Sequence, residues 1–403
     1  MFSKYFLTFI KSIILFTLSL GNTAHSSEID SLTDYDKIMK LPNSYPALNK
    51  FVRFQMRKAV KAANKRIIKK CSIKRLKFSM VQKLSSNVPV VFPSGDKYKP
   101  SMSFGWGGVL ETSINKGKDK SGKFKFPVMN TKRKLSIYQD ITWKESIPMK
   151  FVLGNVVRVE YKRFGKTFNL IIGSDKFGHW IGQGYEYHLR TKEDYKELQK
   201  AVDHGYWLEN TILGLKASGI FSYGDLAANM MGMVFWDNLI DEDGKTPYVK
   251  TTRPKGPYVK CVNNKWVMNE KHSFDFKDYI SPAWDETINY SYPYSRVMAD
   301  KIKKRILNLQ NKYKRDFTPP LRLDYCISAV DFIKDQFPYH FLPVSRQVIN
   351  PICRTAYIKR QKQVWSKKNW LVDGEITDYM EKLTRKNYRP KSPNEKWIRK
   401  NGL

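Results

Sequence analysis

Residue types able to do chemistry gather in one stretch of this chain, Gly173 to Leu239. It opens with Asp175-Lys176-Phe177-Gly178-His179 and closes with Asp225-Leu226-Ala227-Ala228-Asn229, followed by Gly232, with Glu209 between the two. Spaced four apart, Asp175 and His179 share one face of a helix, as do Asp225 and Asn229. Such a set supports three kinds of chemistry. Buried Asp–His and Asp–Asn pairs can satisfy one another's hydrogen bonds and fix the register of packed helices. One imidazole with two or three carboxylates from Asp175, His179, Glu209 and Asp225 also suits a divalent cation such as Zn²⁺, Mn²⁺ or Mg²⁺. Finally, His179 or Glu209 can act as a general base oriented by Asp175 or Asp225. Lys176 reads as a solvated side chain, a partner of Glu209 or a contact for an anionic ligand, and Asn229 as a ligand contact. Gln183 and Glu186 continue the Asp175 face. His188 and His204 read as surface or outlying histidines. The sequence contains no Gly-x-Ser-x-Gly, no phosphate-binding P-loop, no dinucleotide fingerprint and no His-Glu-x-x-His.

Helices must position these groups. Ser174 and Ser222 read as N-caps, each with a carboxylate in the first turn, where the helix dipole favours it. Gly178 and Gly182 in one helix, and Gly224, Ala228 and Gly232 in the other, sit at helical spacing. Glycine costs a helix roughly 1 kcal/mol relative to alanine, so their retention implies a close approach of two backbones. Upstream, 157–161 and 166–172 alternate as a β-hairpin turning at Gly165, with further short strands expected at 104–110 and 123–126. A helix is expected over 191–217. The segment 251–294, rich in Pro, Trp and Tyr, reads as irregular, with 275–284 on the surface. Helices are also expected over 29–39, 295–313 and 323–337.

The chain has 403 residues and a formal net charge of +35, which strongly attracts polyanions. The basic residues are not evenly mixed. Between Asp36 and Asp96 there is no acidic residue at all. A helix expected over 46–70 carries Leu48, Val52, Met56 and Val60 on one stripe, and Arg53, Arg57, Lys61, Lys65 and Lys69 on another. That second stripe reads as facing a polyanion or a membrane surface. Residues 1–26 have the make-up of an export signal cleaved near Ser26: Lys4 and Lys11 around a short apolar run, then Ala24-His25-Ser26. Cys71, Cys261, Cys326 and Cys353 are an even set, which in an oxidising compartment implies disulfides with three possible pairings. No later stretch is apolar for long enough to cross a bilayer.

The order Asp175-Lys176-x-x-His179, then Glu209, then Asp225-x-x-Ala228-Asn229-x-x-Gly232 resembles that of VanZ-like proteins and the related YfiM-type envelope proteins, over about 65 of the 403 residues. The resemblance implies a small helical unit at the cell envelope with clustered acidic, His and Asn side chains. It departs from the VanZ-like pattern in that the flanking segments here are too polar to span a membrane. Together these readings give a mainly helical α+β fold: a helical core over 173–240, a small sheet within 88–172, and further helices at both ends. The expected divisions are 1–26, 27–87, 88–240 and 241–403. The expected function is that of an exported, periplasmic or outer-envelope cationic protein binding an anionic envelope polymer or membrane surface, with non-specific nucleic-acid binding as a by-product. Residues Arg53, Arg57, Lys61 and Lys65 would make the contact. The alternative is an enzyme, metal-assisted or not, acting on an envelope lipid or glycopolymer.

Overall fold

The computed structural model describes residues 27–65, 71–85, 108–142, 145, 152–163, 165–191, 196–210, 214, 218–240, 257–293, 295–318, 320–337 and 341–367. In chain order these form β1 (Ser27–Glu28), α1 (Tyr35–Met39), α2 (Tyr45–Ala63), α3 (Ile73–Leu84), α4 (Val109–Asn115), β2 (Val152–Leu153), β3 (Val156–Arg163), β4 (Lys166–Gly173), α5 (Ser174–Arg190), α6 (Lys196–Asn210), β5 (Ile220–Phe221), α7 (Tyr223–Leu239), β6 (Val259–Val262), β7 (Lys265–Met268), β8 (Tyr292–Pro293), α8 (Arg296–Tyr313), α9 (Leu323–Gln336), α10 (Phe341–Val348) and α11 (Pro351–Lys367). The fold is mainly helical α+β. Its strands do not merge into one sheet. Among the described residues they form four separate two-stranded pairs: β1–β2 parallel, and β3–β4, β5–β8 and β6–β7 antiparallel.

The β3–β4 hairpin has the expected register, Val156 opposite Gly173 and Arg163 opposite Lys166, with Gly165 at φ +70° in its turn. Its core-facing residues, among them Val157, Val159, Leu170 and Ile172, are buried. Asn43 covers the free edge of β3: its carboxamide accepts from the Glu160 N–H and donates to the Glu160 carbonyl. β4 runs straight into α5, so the hairpin sets where Asp175 begins its turn.

The centre of the molecule is α7. Every residue from Tyr223 to Leu239 is buried, so the helix has no polar face to show to water. Its closest neighbour is α5, and the contact is made by glycine. A Cβ on Gly232 would lie 1.8 Å from the Trp180 carbonyl oxygen, and one on Gly184 would lie 2.5 Å from Gly232 Cα. Close packing of the two backbones was expected, but the partner of Gly232 is Gly184. Gly178 instead faces Glu111, whose carboxylate would stand 2.0 Å from an added Cβ. The Trp236 indole N–H donates to the Ile181 carbonyl and ties the same pair of helices.

Several expectations need correction. The basic helix stops at Ala63 and a second helix, α3, follows it. Ser222 caps α7, its hydroxyl accepting from the Asp225 N–H. Ser174, in contrast, is the first residue inside α5; Gly173 holds the cap position, and the Ser174 hydroxyl donates to Asn115. Helix α6 spans Lys196–Asn210 within the longer stretch expected. Segment 275–284 is not superficial. Phe276, Tyr279, Ile280 and Trp284 are fully buried, and the three rings meet Phe177, Trp180 and Phe235 edge-on or tilted in an aromatic core. Of the strands expected at 104–110 and 123–126, residues 109–110 instead open α4, and 123–126 takes part only in an isolated bridge between Lys118 and Lys125; the expectations for residues 1–26, 66–70, 104–107 and 368–403 fall outside the described residues.

Two disulfides close the structure. Cys71–Cys261 joins the chain before α3 to β6, and Cys326–Cys353 joins α9 to α11. Among the described residues no helix is long and apolar enough to cross a membrane. The glycine contact generates a direct test. Gly232→Ala should destabilise the protein by at least about 2–3 kcal/mol, the upper part of the usual range for overpacking, because backbone on the facing helix has to move. Urea unfolding with an unchanged midpoint would show that α5 and α7 do not meet this closely.

Candidate functional site

The first turns of α5 and α7 converge on one side chain, Lys176. Its Nζ lies 2.7 Å from Asp175 Oδ2, 2.6 Å from Asp225 Oδ1 and 2.7 Å from Glu286 Oε1. An ammonium has three N–H donors and no acceptor; it donates to Asp175 Oδ2 and stands at ion-pair distance from Asp225 and Glu286. The side chain is only 1% exposed, which corrects the expectation of a solvated lysine, and its partners do not include Glu209. Burial works against the charge, but Asp175, Asp225 and Glu286 outweigh it and hold the ammonium well above the usual lysine range. Burial raises Asp175 despite its lysine partner, with repulsion from Asp225 in the same direction. We take the fixed point to be a charged Lys176, because three acceptors meet it and no donor does.

Helix starts explain the geometry. Asp175 lies in the first turn of α5 and accepts from the Lys176 N–H. Asp225 is placed by the Ser222 cap, and the Ser222 hydroxyl in turn donates to Glu286 Oε1 at 2.7 Å. Glu286 follows a short helical turn at Pro282–Trp284, whose indole packs on Phe177. Gly224 leaves room for the lysine stem: a Cβ there would lie 2.8 Å from Lys176 Cε.

His179 stands at the rim, its side chain 12% exposed, with Nε2 3.3 Å from Asp225 Oδ2. Its Nδ1 lies 3.1 Å from the Asn229 carboxamide, which also reaches Gln183 at 2.7 Å. So the expected Asp/His and Asp/Asn pairs do meet, though across helices: His179 pairs with Asp225 and Asn229. Glu209 is buried beside them. Burial, then the charges of Asp225 and Glu28, push its carboxyl well above the usual range. His179, Glu209 and Asp225 present ligand atoms within 4.8 Å of one another, as do Asp175, Asp225 and Glu286.

Three acids of this neighbourhood escaped the sequence reading: Glu286, Glu28 and Glu111. Glu28, on β1, is raised by burial and by Glu286 and Asp225, and is held by the Ser218 hydroxyl. Glu111, on α4, is raised by burial and then by Asp175, with the Gly108 N–H opposing. Isolated acids in short elements carry no periodic signal. A pocket lined by Ile29, Leu32, Ile137, Tyr138 and Ile220 reaches Glu286 at one edge of the cluster.

The other histidines join separate networks. His188 is buried rather than superficial, with Nε2 2.9 Å from Lys77 Nζ and Nδ1 against Asp237. Lys77 can only donate, so Nδ1 carries the proton given to Asp237. His204 and Arg190 both pair with Glu186, which therefore faces away from the central cluster.

The basic helix α2 presents Arg57, Lys58 and Lys61 to solvent, and Lys65 follows just past its end. Arg53 is part-buried and donates through Nε to the Phe274 carbonyl at 2.6 Å, a tie between segments. The structure adds a second basic element beside this face, the 116–125 loop with exposed Lys116, Lys118, Lys120, Lys123 and Lys125. Lys58 and Lys123 both stand over the Phe54 ring, at 4.4 and 5.0 Å. The loop's one acid, Asp119, is turned inward and accepts from the Phe124 and Ser121 N–H groups. In comparisons with family models, curated proteins and solved structures, none matches this chain.

Two outcomes follow. Lys176→Met leaves three buried carboxylates uncompensated and should cost about 3–5 kcal/mol; a loss below about 1 kcal/mol in urea unfolding would show that the lysine does not hold the cluster. Glu111→Gln tests the burial of its acid. The folded pKa lies above the ordinary value of 4.5, so the unfolded carboxyl ionises first. The stability that Glu111 contributes in acid is lost as pH rises from there towards the folded pKa. The variant has no such loss, so its advantage over the parent should be larger at pH 7 than at pH 4. An equal difference at both would place the Glu111 pKa at its ordinary value.

Proposed function

We propose that this chain is an exported, cationic cell-envelope protein that binds an anionic polymer or membrane surface, with the Lys176 cluster as the scaffold that fixes its helices. The observation that carries this reading is the joined basic face of α2 and the 116–125 loop. Nine exposed basic side chains lie there, namely Arg57, Lys58, Lys61, Lys65 and the five loop lysines, and the loop's one acid is turned inward. A solvated surface ordinarily mixes its charges. A one-sign face raises the local concentration of polyanions and steers them to it. The central cluster supports a scaffold over a catalytic centre, since Asp175, Lys176, Asp225 and Glu286 are buried and bonded to one another. Two disulfides are in keeping with export. In this reading the Asp175-to-Gly232 pattern is a version of the VanZ-like unit held within a larger protein core, with the envelope as its place of work.

The test is salt dependence. Each phosphate neutralised releases counterions, so affinity for polyphosphate or DNA should fall steeply as salt rises. Reversal of Arg57, Lys61 and Lys65 to Glu should weaken binding and flatten the slope. The same variant should lose binding to vesicles rich in phosphatidylglycerol. An unchanged slope would mean that this face is not the binding surface.

A further inference from the structure

We propose a divalent-cation site built from His179, Glu209 and Asp225, next to the lysine-centred cluster and independent of the basic face. The ligand atoms of the three lie within 4.8 Å of one another. An acidic grouping alone would not suffice, but a separate observation points into this one. Glu209 is 1% exposed, and its Oε1 has no hydrogen-bond partner among the described residues. A buried carboxylate oxygen left unbonded costs free energy comparable to a lost hydrogen bond or more, and a cation removes that cost. Lys176 does not supply it: its ion-pair partners are Asp175, Asp225 and Glu286, and Glu209 is not among them.

The charge balance points the same way. Asp175, Glu209, Asp225 and Glu286 lie around a single ammonium and one imidazole. One nitrogen and two carboxylates suit a borderline ion, Zn²⁺ or Mn²⁺, better than Mg²⁺, which prefers oxygen and keeps its water. His179 is the most exposed of the three and gives the ion its way in.

The Asn229 carboxamide lies 3.1 Å from His179 Nδ1, so the second ring nitrogen is held by a neighbour, as it is for most metal-binding histidines, and Nε2 is the nitrogen that stands 3.3 Å from Asp225 Oδ2.

The experiment uses the whole purified protein, stripped with chelator and titrated with ZnCl₂, MnCl₂ and MgCl₂ in a calorimeter, alongside elemental analysis and thermal unfolding. Zn²⁺ or Mn²⁺ should bind one to one and raise the Tm, since a ligand bound only by the folded state stabilises it. Removal of an outlying partner of a metal typically costs 10–100-fold in affinity, so loss of a ligand in His179→Ala or Glu209→Gln should cost roughly 100-fold or more. A parent protein that binds neither ion stoichiometrically and shows no Tm shift overturns the proposal, whether or not the variants fold. So does full affinity in both folded variants, which would place the ion elsewhere. Neither result depends on polyanion binding, which is measured separately by its salt slope.

Discussion

A charged lysine with no access to water dictates much of what surrounds it. Removing an ammonium from water costs several kcal/mol even after relaxation, and attraction to partners repays it only where the geometry is good and every donor is used. Lys176 gathers three carboxylates for that repayment, Asp175, Asp225 and Glu286, each within 2.7 Å. These residues come from the first turn of α5, the first turn of α7, and the segment beyond Trp284. Three distant parts of the chain therefore have one allowed arrangement. Glu286 also accepts from Ser222, which caps α7, so the start of the most buried helix is tied to the same ion. Close approach of the backbones is the other half of the condition. Without the contact of Gly184 with Gly232, α5 and α7 would stand further apart and the three acceptors could not reach one ammonium.

Much of this was legible in the residue pattern, and the failures have physical causes. The hairpin, α8 and α9 follow from alternation and helical spacing. The pairing of two helix starts follows from Asp175, His179, Asp225 and Asn229. The burial of Lys176 was not legible, because desolvation makes a solvated lysine the normal reading. Only the convergence of three carboxylates reverses it, and one of them, Glu286, lies in a stretch with no period. Segment 275–284 was misplaced for the same reason: its aromatic residues are spaced for neither helix nor strand, and only the three-dimensional core shows where they go. Helix α3 did have a pattern in Leu76, Met80, Val81 and Leu84. Its lysines obscured it, and one of them, Lys77, is itself buried against His188. Gly184 was passed over because glycines at a four-residue spacing drew attention to Gly178 and Gly182 instead.

The distribution of charge links the interior to the surface. Among the described residues, eleven carboxylates are buried, including Glu28, Glu111, Asp175, Glu209, Asp225 and Glu286, but only two cationic side chains, Lys77 and Lys176. A chain with 72 basic and 37 acidic residues has therefore withdrawn a large share of its acids from its surface. Those acids no longer screen the lysines outside. Burial also disfavours the charged form of some of them, raising Glu28, Glu111 and Glu209 above the usual carboxylate range. The positive field that a passing polyanion meets is therefore little opposed at the surface. An ordinary cationic protein reaches such a field by adding lysines, at the cost of self-repulsion. Here part of it comes from turning acids inward, where they organise helices. On this view the dry cluster and the basic face are one electrostatic arrangement: the carboxylates that hold α5 and α7 in place are the same ones whose removal from the surface leaves α2 and the 116–125 loop unopposed.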